Sequence, residues 1–480
     1  MTTYPASLAA EERLADADIT SAIERLFLLK KGVASQLIEV ACHEGIVELS
    51  GFTDSLLSRG RAADLARAVR GVRGVINDIL IRTPDVPDAE LERRVRQALR
   101  QDPAACDYNV RCHIHDGVVT LHGTLQTWAE GQLVLLVVNG VPGVRQINNN
   151  LNVRGGSITN SDEEITTQIR ESLAWDIRVK SPLVDVRTDH GVVHLSGTVG
   201  TADEHEQVVA TAYLAGATHV DARHLVVAYW ALDQGLRRQR FVPKADEDVA
   251  QAVRDALRLD PRVRAFAPTV HVRDGVVTLA GTVGNLRARR TAEQDATNVL
   301  GANEVRNLLQ VRVQFPSPDG LIHQHVKTAL ACNYWVGRYN FTTNVSNGKV
   351  QLFGTVGSHF DLEQAADVVA GVNGVVELAN HVQLVPFREL RYAPPADAAG
   401  PPAAAENTEP DLLLEQRIRN RYHWSSLLHD QDIDVRVRDG RATLAGSVDT
   451  WLERKRAAVE AADCGARDVN NHLRLLGHPN

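Results

Sequence analysis

One nine-residue pattern occurs six times along this 480-residue chain, and it constrains the fold more than any other feature. The copies are HEGIVELSG, HDGVVTLHG, DHGVVHLSG, RDGVVTLAG, SNGKVQLFG and RDGRATLAG. Their first glycines are Gly45, Gly117, Gly191, Gly275, Gly348 and Gly440, and a second glycine follows six residues after each. Repetition at fixed spacing indicates one duplicated structural unit.

The pattern predicts a β-hairpin in every unit. Asp-Gly or Asn-Gly ahead of an alternating apolar run is a strong signal for a type I′ turn, whose two central residues need positive φ. Apolar residues also alternate before the turn, as in Val110, Cys112 and Ile114, so one face of that strand should be buried. We therefore interpret the six first glycines as structural turn residues.

Two helices and a third strand complete each unit. A segment with an acidic start precedes each hairpin, as in DEDVAQAVRDAL, where Val249, Val253 and Leu257 form one apolar stripe. An Ala-rich amphipathic segment follows the hairpin, and the last strand carries an Asn such as Asn77 in all copies except the third. The third copy has Ala222 there, with a one-residue slip that indicates a bulge. The predicted fold class is α+β: six tandem αββαβ units, each with two helices packed on a three-stranded mixed sheet.

The predicted units span 16–81, 90–153, 162–228, 246–313, 319–385 and 411–475. Segment 386–410 is rich in Pro and Ala and is predicted to be a linker. Segment 228–244 places Tyr229, Trp230 and Phe241 among basic residues. Two interpretations stay open for it: packing on a neighbouring domain, or an exposed contact for lipid headgroups or a partner.

The order helix, dGvVtLsGtV hairpin, Ala-rich helix and GV..V.N.L.V strand resembles the BON domain of bacterial osmotic-stress and envelope proteins, over nearly the whole chain. The resemblance implies a non-enzymatic protein that is associated with stress and with phospholipid surfaces or envelope partners. Envelope members of that family enter through a signal sequence, whereas the start of this chain is acidic where a signal peptide needs a basic region.

Charge and composition limit the kinds of partner and the cellular location that we expect. The net charge of −8 and pI of about 6.1 predict no general attraction to nucleic acid. No stretch approaches the roughly 18 apolar residues of a membrane span, so we expect a cytoplasmic protein without a transmembrane segment. Leaderless export and peripheral membrane association stay open as alternatives. The five cysteines form no CxxC pair and are expected to be free thiols.

We predict no enzyme activity, catalytic residue, cofactor or metal site. The chain carries no nucleophile elbow, P-loop, HExxH or Rossmann fingerprint in a fitting context, and a small three-stranded unit offers little pocket volume. His113 and His115 are expected to share the outward face of one strand, but no third zinc ligand lies at a persuasive spacing.

Several aromatic and basic residues are candidate contacts for lipid or a partner. Trp128 and Trp451 occupy equivalent positions where the hairpin passes into the second helix. The candidate set adds Trp230 and two basic clusters: Arg454, Lys455 and Arg456 beside Trp451, and Arg287, Arg289 and Arg290 in the fourth unit. Capping of a sheet edge and a solvated helix face explain the same residues.

Three functions remain open from sequence. The preferred one is a tandem-repeat binding or scaffold protein acting on anionic phospholipid or an envelope protein, because linked weak sites gain avidity. The first alternative is a self-assembling homo-oligomer or filament built through contacts between repeats. The second is a sensor of a small ion or metabolite.

Overall fold

A computed structural model describes residues 14–30, 33, 37–154, 161–179, 182–232, 244–313, 317–384 and 411–475. The described residues form two compact units. The first contains the first four repeats up to Arg312, and the second contains the fifth and sixth repeats. The predicted linker 386–410 and Phe241 lie outside the described residues.

In the first unit every repeat has the order helix, strand, strand, helix, strand. Repeat 1 contains α1 (Asp16–Leu29), β1 (Ile38–His43), β2 (Ile46–Thr53), α2 (Leu56–Arg67), β3 (Gly74–Asn77) and β4 (Leu80–Ile81). Repeat 2 contains α3 (Asp88–Gln101), β5 (Val110–His115), β6 (Val118–Leu125), α4 (Trp128–Asn139) and β7 (Gln146–Val153). Repeat 3 contains α5 (Asp162–Trp175), β8 (Val184–Asp189), β9 (Val192–Val199), α6 (Ala202–Leu214) and β10 (His219–Val227). Repeat 4 contains α7 (Asp246–Leu259), β11 (Thr269–Arg273), β12 (Val276–Ala280), β13 (Thr282–Val283), α8 (Leu286–Thr297), β14 (Glu304–Asn307) and β15 (Gln310–Val311).

The second unit repeats this order twice. Repeat 5 contains α9 (Asp319–Cys332), β16 (Phe341–Ser346), β17 (Lys349–Val356), α10 (His359–Ala370) and β18 (Glu377–Leu384). Repeat 6 contains α11 (Asp411–His423), β19 (Asp432–Arg438), β20 (Arg441–Val448), α12 (Trp451–Asp463), β21 (Asp468–Asn471) and β22 (Arg474–Leu475).

The second strand is the central strand of every sheet. It pairs antiparallel with the first strand of its repeat, as in Val40 opposite Leu49, and parallel with the third, as in Val47 opposite Val75. The second helix is therefore the crossover between two parallel strands. The predicted fold class, α+β with six αββαβ units and mixed three-stranded sheets, is confirmed.

Each hairpin turn is held by the first residue of the preceding helix. The two turn residues have φ of 49–52° and 71–76° in all six repeats, as a type I′ turn requires. In repeat 3, Asp162 accepts hydrogen bonds from the backbone N–H groups of His190 at 2.8 Å and Gly191 at 2.9 Å. The same pair of bonds is made by Asp16, Asp88, Asp246, Asp319 and Asp411. The acidic start of these helices thus fixes the turn.

The second glycine of the pattern permits close strand approach. A Cβ on Gly197 would lie 1.9 Å from the carbonyl oxygen of Leu183, and one on Gly446 would lie 2.0 Å from that of Asp432. Both glycines also have positive φ, 112° and 114°. A larger residue would push the first strand off the second.

The third-strand Asn connects the sheet to the second helix. Asn77 donates through Nδ2 to the carbonyl oxygen of Arg59 at 2.9 Å, and its Oδ1 accepts from the N–H of Ile79 at 3.3 Å. Repeat 3 lacks this Asn, and between Asp221 and His224 its third strand has two residues opposite one of the second strand. The predicted bulge is confirmed.

The core of each repeat lies between the helices and one sheet face. In repeat 2, Leu91 and Val95 of α3 pack with Val119, Leu121 and the second helix, all nearly inaccessible to solvent. Cys112 and Ile114 point into this core, so His113 and His115 lie on the exposed outer face as predicted. The outer faces are where the repeats differ chemically.

Candidate binding surfaces

Helices join the repeats of the first unit. Helix α6 of repeat 3 contacts α2 of repeat 1 and α4 of repeat 2, and α5 of repeat 3 contacts α7 of repeat 4. Helix surfaces that the sequence leaves open for partners are therefore partly used within this unit. Some of the candidate contact residues therefore lie between repeats and are not free to bind a partner.

Trp128 lies at one of these joints. It is the first residue of α4, placed there by a capping box between Thr127 and Glu130. Its ring stacks on Tyr213 of repeat 3, with centroids 5.3 Å apart and planes 8° from parallel. Neither local propensity nor the repeat pattern marks Tyr213 as its partner, because the pair is formed only when two repeats meet.

The arginine cluster of repeat 4 makes contacts inside the unit. Arg287 pairs with the buried Asp102 of repeat 2 at 2.8 Å. Arg289 donates to the carbonyl oxygen of Asn307 at 3.3 Å, and Arg290 is half-buried. This cluster therefore helps to join repeat 4 to repeat 2 and offers less free charge than its sequence suggests.

A second ion pair supports the same joint. Arg264 of repeat 4 reaches Glu130, the capping residue of α4, whose side chain is 3% exposed. Because Glu130 also accepts the N–H of Gln126 at 2.7 Å, it links the start of α4 to repeat 4.

The described start of segment 228–244, residues 228–232, packs on repeat 1. The guanidinium of Arg70 lies over the ring of Tyr229, 4.7 Å from its centroid, which agrees with the packing interpretation for that residue. Trp230 lies beside it in a short 3₁₀ turn, Tyr229–Leu232, and is half-buried.

Repeat 6 presents the most available basic cluster of the predicted set. The Arg454 guanidinium lies 5.1 Å from the Trp451 ring centroid, and Lys455 is exposed. Within the described ranges neither Arg454 nor Lys455 forms an ion pair. Arg456 differs, because it pairs with the buried Glu460 at 2.9 Å.

Glu460 is the centre of a buried ion network. It accepts from Arg421 at 2.6 and 3.0 Å in addition to Arg456. Burial alone would raise the pKa of Glu460, but Arg421 and Arg456 outweigh it and hold that pKa well below its usual range. Arg456 is thus a structural residue of the repeat 6 core.

The outer face of repeat 2 has a basic pocket that the sequence did not single out. A pocket of about 510 Å³ is lined by Arg111, His122 and Arg154, with Asn109 and Gln126 beside them. Across the part of the chain that the structure describes, Arg111 and Arg154 have no acidic partner. Adjacent strands bring these residues together, which only the sheet register determines.

Asp88, His115 and Asp116 are close enough to hold one cation, with ligand atoms within 4.8 Å of one another. However, both oxygens of Asp88 already accept the turn N–H groups of Asp116 and Gly117, at 3.1 and 3.3 Å. The closeness of Asp88 to the turn is therefore explained by these two hydrogen bonds, which we call the hairpin latch. His113 is not part of this group.

Comparison with known families decides the identity of the repeat. The model of the BON domain matches residues 15–83, 87–155, 161–229, 245–313, 318–386 and 410–477. The chain belongs to the BON-domain family. The resemblance inferred from the hairpin pattern is confirmed, and the domain ends given above remain our prediction.

Two relatives each match about a quarter of this BON-domain chain. Osmotically-inducible protein Y of Escherichia coli (strain K12) is 30% identical over 130 residues, which are 26% of this chain and 65% of that protein. An uncharacterized protein in the gshII 5′ region of Anaplasma centrale is 27% identical over 121 residues, 24% of this chain and 80% of that protein.

Among solved structures, CdsD, a structural protein of the type III secretion system of Chlamydia trachomatis, aligns with 49% of this chain and 97% of its own. Its identity is 18% and its TM-score 0.13, values too low to transfer a repeat arrangement. Across the described residues, the BON repeats contain no helix that is both long and apolar enough to span a bilayer.

Proposed function

We propose that this protein is a non-enzymatic, multivalent scaffold whose BON repeats bind anionic surfaces, phospholipid headgroups or acidic envelope partners, under osmotic or envelope stress. The observation that carries the proposal is that the helix side and the outer sheet side of a repeat make different contacts. Helices of the first unit are engaged with one another, while polar outer sheet faces remain open. A compact block of packed repeats with several open faces suits binding.

A binding role fits the interior of the repeats better than catalysis does. The space between helices and sheet is filled by aliphatic side chains such as Val193, Leu195 and Val208 in repeat 3. A closed aliphatic core leaves the chemistry of each repeat to its surface. The stress association is supported by the relationship to osmotically-inducible protein Y.

Two basic surfaces are the proposed contacts. One is the Trp451–Arg454–Lys455 surface on α12, where an indole sits beside two cationic side chains, a combination suited to a membrane interface. The other is the Arg111–His122–Arg154 pocket on repeat 2. Because the whole chain carries a net charge of −8, these local surfaces have to supply the attraction.

Two weak surfaces on one chain act together. Each basic side chain near an anionic membrane contributes on the order of 1 kcal/mol, so either surface alone binds weakly. Linkage makes the second contact intramolecular and raises the overall affinity steeply. We therefore expect removal of one surface to weaken binding strongly and removal of both to abolish it.

Vesicle flotation of the full chain tests this. Vesicles of phosphatidylcholine with and without phosphatidylglycerol are compared at physiological salt, with Arg454→Glu/Lys455→Glu and Arg111→Glu/Arg154→Glu as variants. The matched control is Arg93→Glu/Arg96→Glu, which makes the same change in net charge on exposed residues of helix α3, outside both proposed surfaces and the outer sheet faces. We expect flotation on anionic vesicles only, reduced by both variants and unchanged in the control. Equal loss in the control would refute the two surfaces.

Self-assembly is the second candidate, favoured by the open sheet edges. The third strand of each repeat pairs only with the second strand within the described chain. It carries exposed apolar residues, with Leu80 61% and Leu384 48% exposed. Light scattering at micromolar concentration distinguishes the two functions, since large species without vesicle binding would favour assembly.

A further inference from the structure

A large cleft opens where repeats 2, 3 and 4 of the first unit meet. Its volume is about 1290 Å³, and it is lined by helices α4, α5, α6 and α7 and by the end of α8. At its edge, the N–H of Ile177 donates to the carbonyl oxygen of Asn298 at 3.0 Å, and the N–H of Leu300 donates to that of Trp175 at 2.8 Å. These bonds fix repeat 3 against repeat 4, so the cleft is preformed.

The cleft is strongly acidic. Eight carboxyl side chains and three arginines line it. Each arginine is already paired with a neighbouring carboxylate: Arg178 with Asp176 at 2.8 Å, Arg262 with Asp260 at 2.6 Å, and Arg258 with Asp255 at 3.0 Å. Five carboxyl groups are left without an ion pair in the described part of the chain: Glu163, Glu164, Glu171, Asp248 and Asp295.

Asp295 has a carboxylate oxygen that is buried without a hydrogen-bond donor. Its Oδ2 is closed off from solvent and has no hydrogen-bond donor among the described residues, while the rest of the residue keeps partial exposure along the cleft. Burial, followed by the charge of Asp260, raises the pKa of Asp295 to about 7, against weaker opposition from Arg262 and Arg178. Because part of Asp295 is exposed along the cleft, an ammonium in the cleft would lie beside this carboxylate and offset its negative charge without reaching the closed Oδ2.

The lining also suits the apolar part of a ligand. Trp175, Leu214 and Leu259 lie along the cleft. A metal ion fits less well, because among the described residues the group of ligand atoms close enough for one ion is at Asp88, not here.

We propose that this cleft binds an amphiphilic organic cation, with its ammonium paired to Asp295 and its apolar body against Trp175 and the leucines. The site is independent of the basic surfaces proposed above, which attract anions. It makes the joint between three repeats a sensor of a small cationic ligand, because such a ligand contacts all three repeats at once and stabilises their packed arrangement.

Isothermal titration calorimetry of the full chain at pH 8 tests the site. The probes are hexylammonium, the neutral hexanol and the short ethylammonium. We expect hexylammonium to bind, hexanol to give no heat, and ethylammonium to bind at least about 10-fold more weakly, because it lacks the apolar body. Equal binding of hexanol and hexylammonium would overturn the proposal, as would no binding of hexylammonium at millimolar concentration.

The variant Asp295→Asn should lower hexylammonium affinity at least about 10-fold, the loss of one buried charged contact. Glu206→Gln is the control, because Glu206 is exposed on α6 outside the cleft and the charge change is the same. Circular dichroism confirms folding of both. At pH 5 wild-type affinity should fall about 100-fold as Asp295 is protonated. Unchanged binding by Asp295→Asn, or affinity independent of pH, would overturn the assignment to Asp295.

Discussion

Trp128 of repeat 2 stacks face to face on Tyr213 of repeat 3, with the ring centroids 5.3 Å apart. An aromatic residue that looked available to a membrane is thus part of the joint between two repeats. Because the equivalent Trp451 has a cationic neighbour, Arg454, over its ring, the same sequence position serves different roles in two copies. Duplicated positions can therefore diverge once the repeats pack.

Replacing Trp128 should weaken the joint between repeats 2 and 3. Trp128→Ala should lower the free energy of unfolding by about 2 kcal/mol, since half-buried aromatic area and a stacking contact are lost. Scanning calorimetry of the full chain measures the change. Vesicle flotation should stay unaltered, and a large loss of flotation with unchanged stability would instead make Trp128 a membrane contact.

Asp162 should be needed for the hairpin of repeat 3. Its two bonds from the turn N–H groups of Gly191 and His190 lower its pKa below the usual value. Asp162→Ala should speed amide hydrogen exchange at Gly191 and lower the melting temperature, while Glu163→Ala, one residue further on, should not. Equal exchange in both variants would contradict the latch.

The same hydrogen bonds of Asp162 predict that the hairpin of repeat 3 loses stability in acid. The folded pKa of Asp162 is below its unfolded value of 3.8, so its contribution is complete above about pH 4 and is lost as pH falls through the folded pKa. Asp16 has a lowered pKa for the same reason. We expect the protection factor of the Gly191 amide, which is corrected for the intrinsic pH dependence of exchange, to fall below pH 4 in wild type and to change less in Asp162→Ala.

Asp295 predicts the opposite dependence of folding stability on pH. Its folded pKa of about 7 lies above the unfolded value, so stability is highest below about pH 4 and decreases as pH rises through 7. Asp295→Asn should remove this loss and raise stability at pH 8 by up to about 4 kcal/mol, with little effect at pH 4, since one pKa unit is worth about 1.4 kcal/mol. Thermal melts at the two pH values check it; a destabilised variant at pH 8 would contradict it.

Breaking the buried network of repeat 6 should be severe. Glu460→Gln leaves Arg421 buried without its counter-ion and should cost about 3–5 kcal/mol. Urea unfolding followed by circular dichroism measures this. Glu415→Gln is the comparison, because its pair with Arg419 at 3.0 Å is half exposed and should be worth less than about 1 kcal/mol.

Much of the fold could be predicted because it depends on local chemistry. Positive φ at Gly117 and at the other glycines that follow Asp or Asn follows from turn preference, and burial of Cys112 and Ile114 follows from strand alternation. The bulge of repeat 3 was visible as a missing Asn. The helix-starting aspartates were predicted to be helix starts, but their bonds to turns 28 and 29 residues later were not.

The repeated unit, its order of strands and helices and its family follow from local sequence, because turn preference and apolar periodicity act within one repeat. Which side chains stay free for a partner depends on how the repeats pack. Arg287 and Trp128 read as surface residues until Asp102 and Tyr213 of other repeats contact them. Asp295 became a candidate ligand group only where three repeats enclose it. Contacts between repeats depend on how whole domains pack, and no local pattern encodes that.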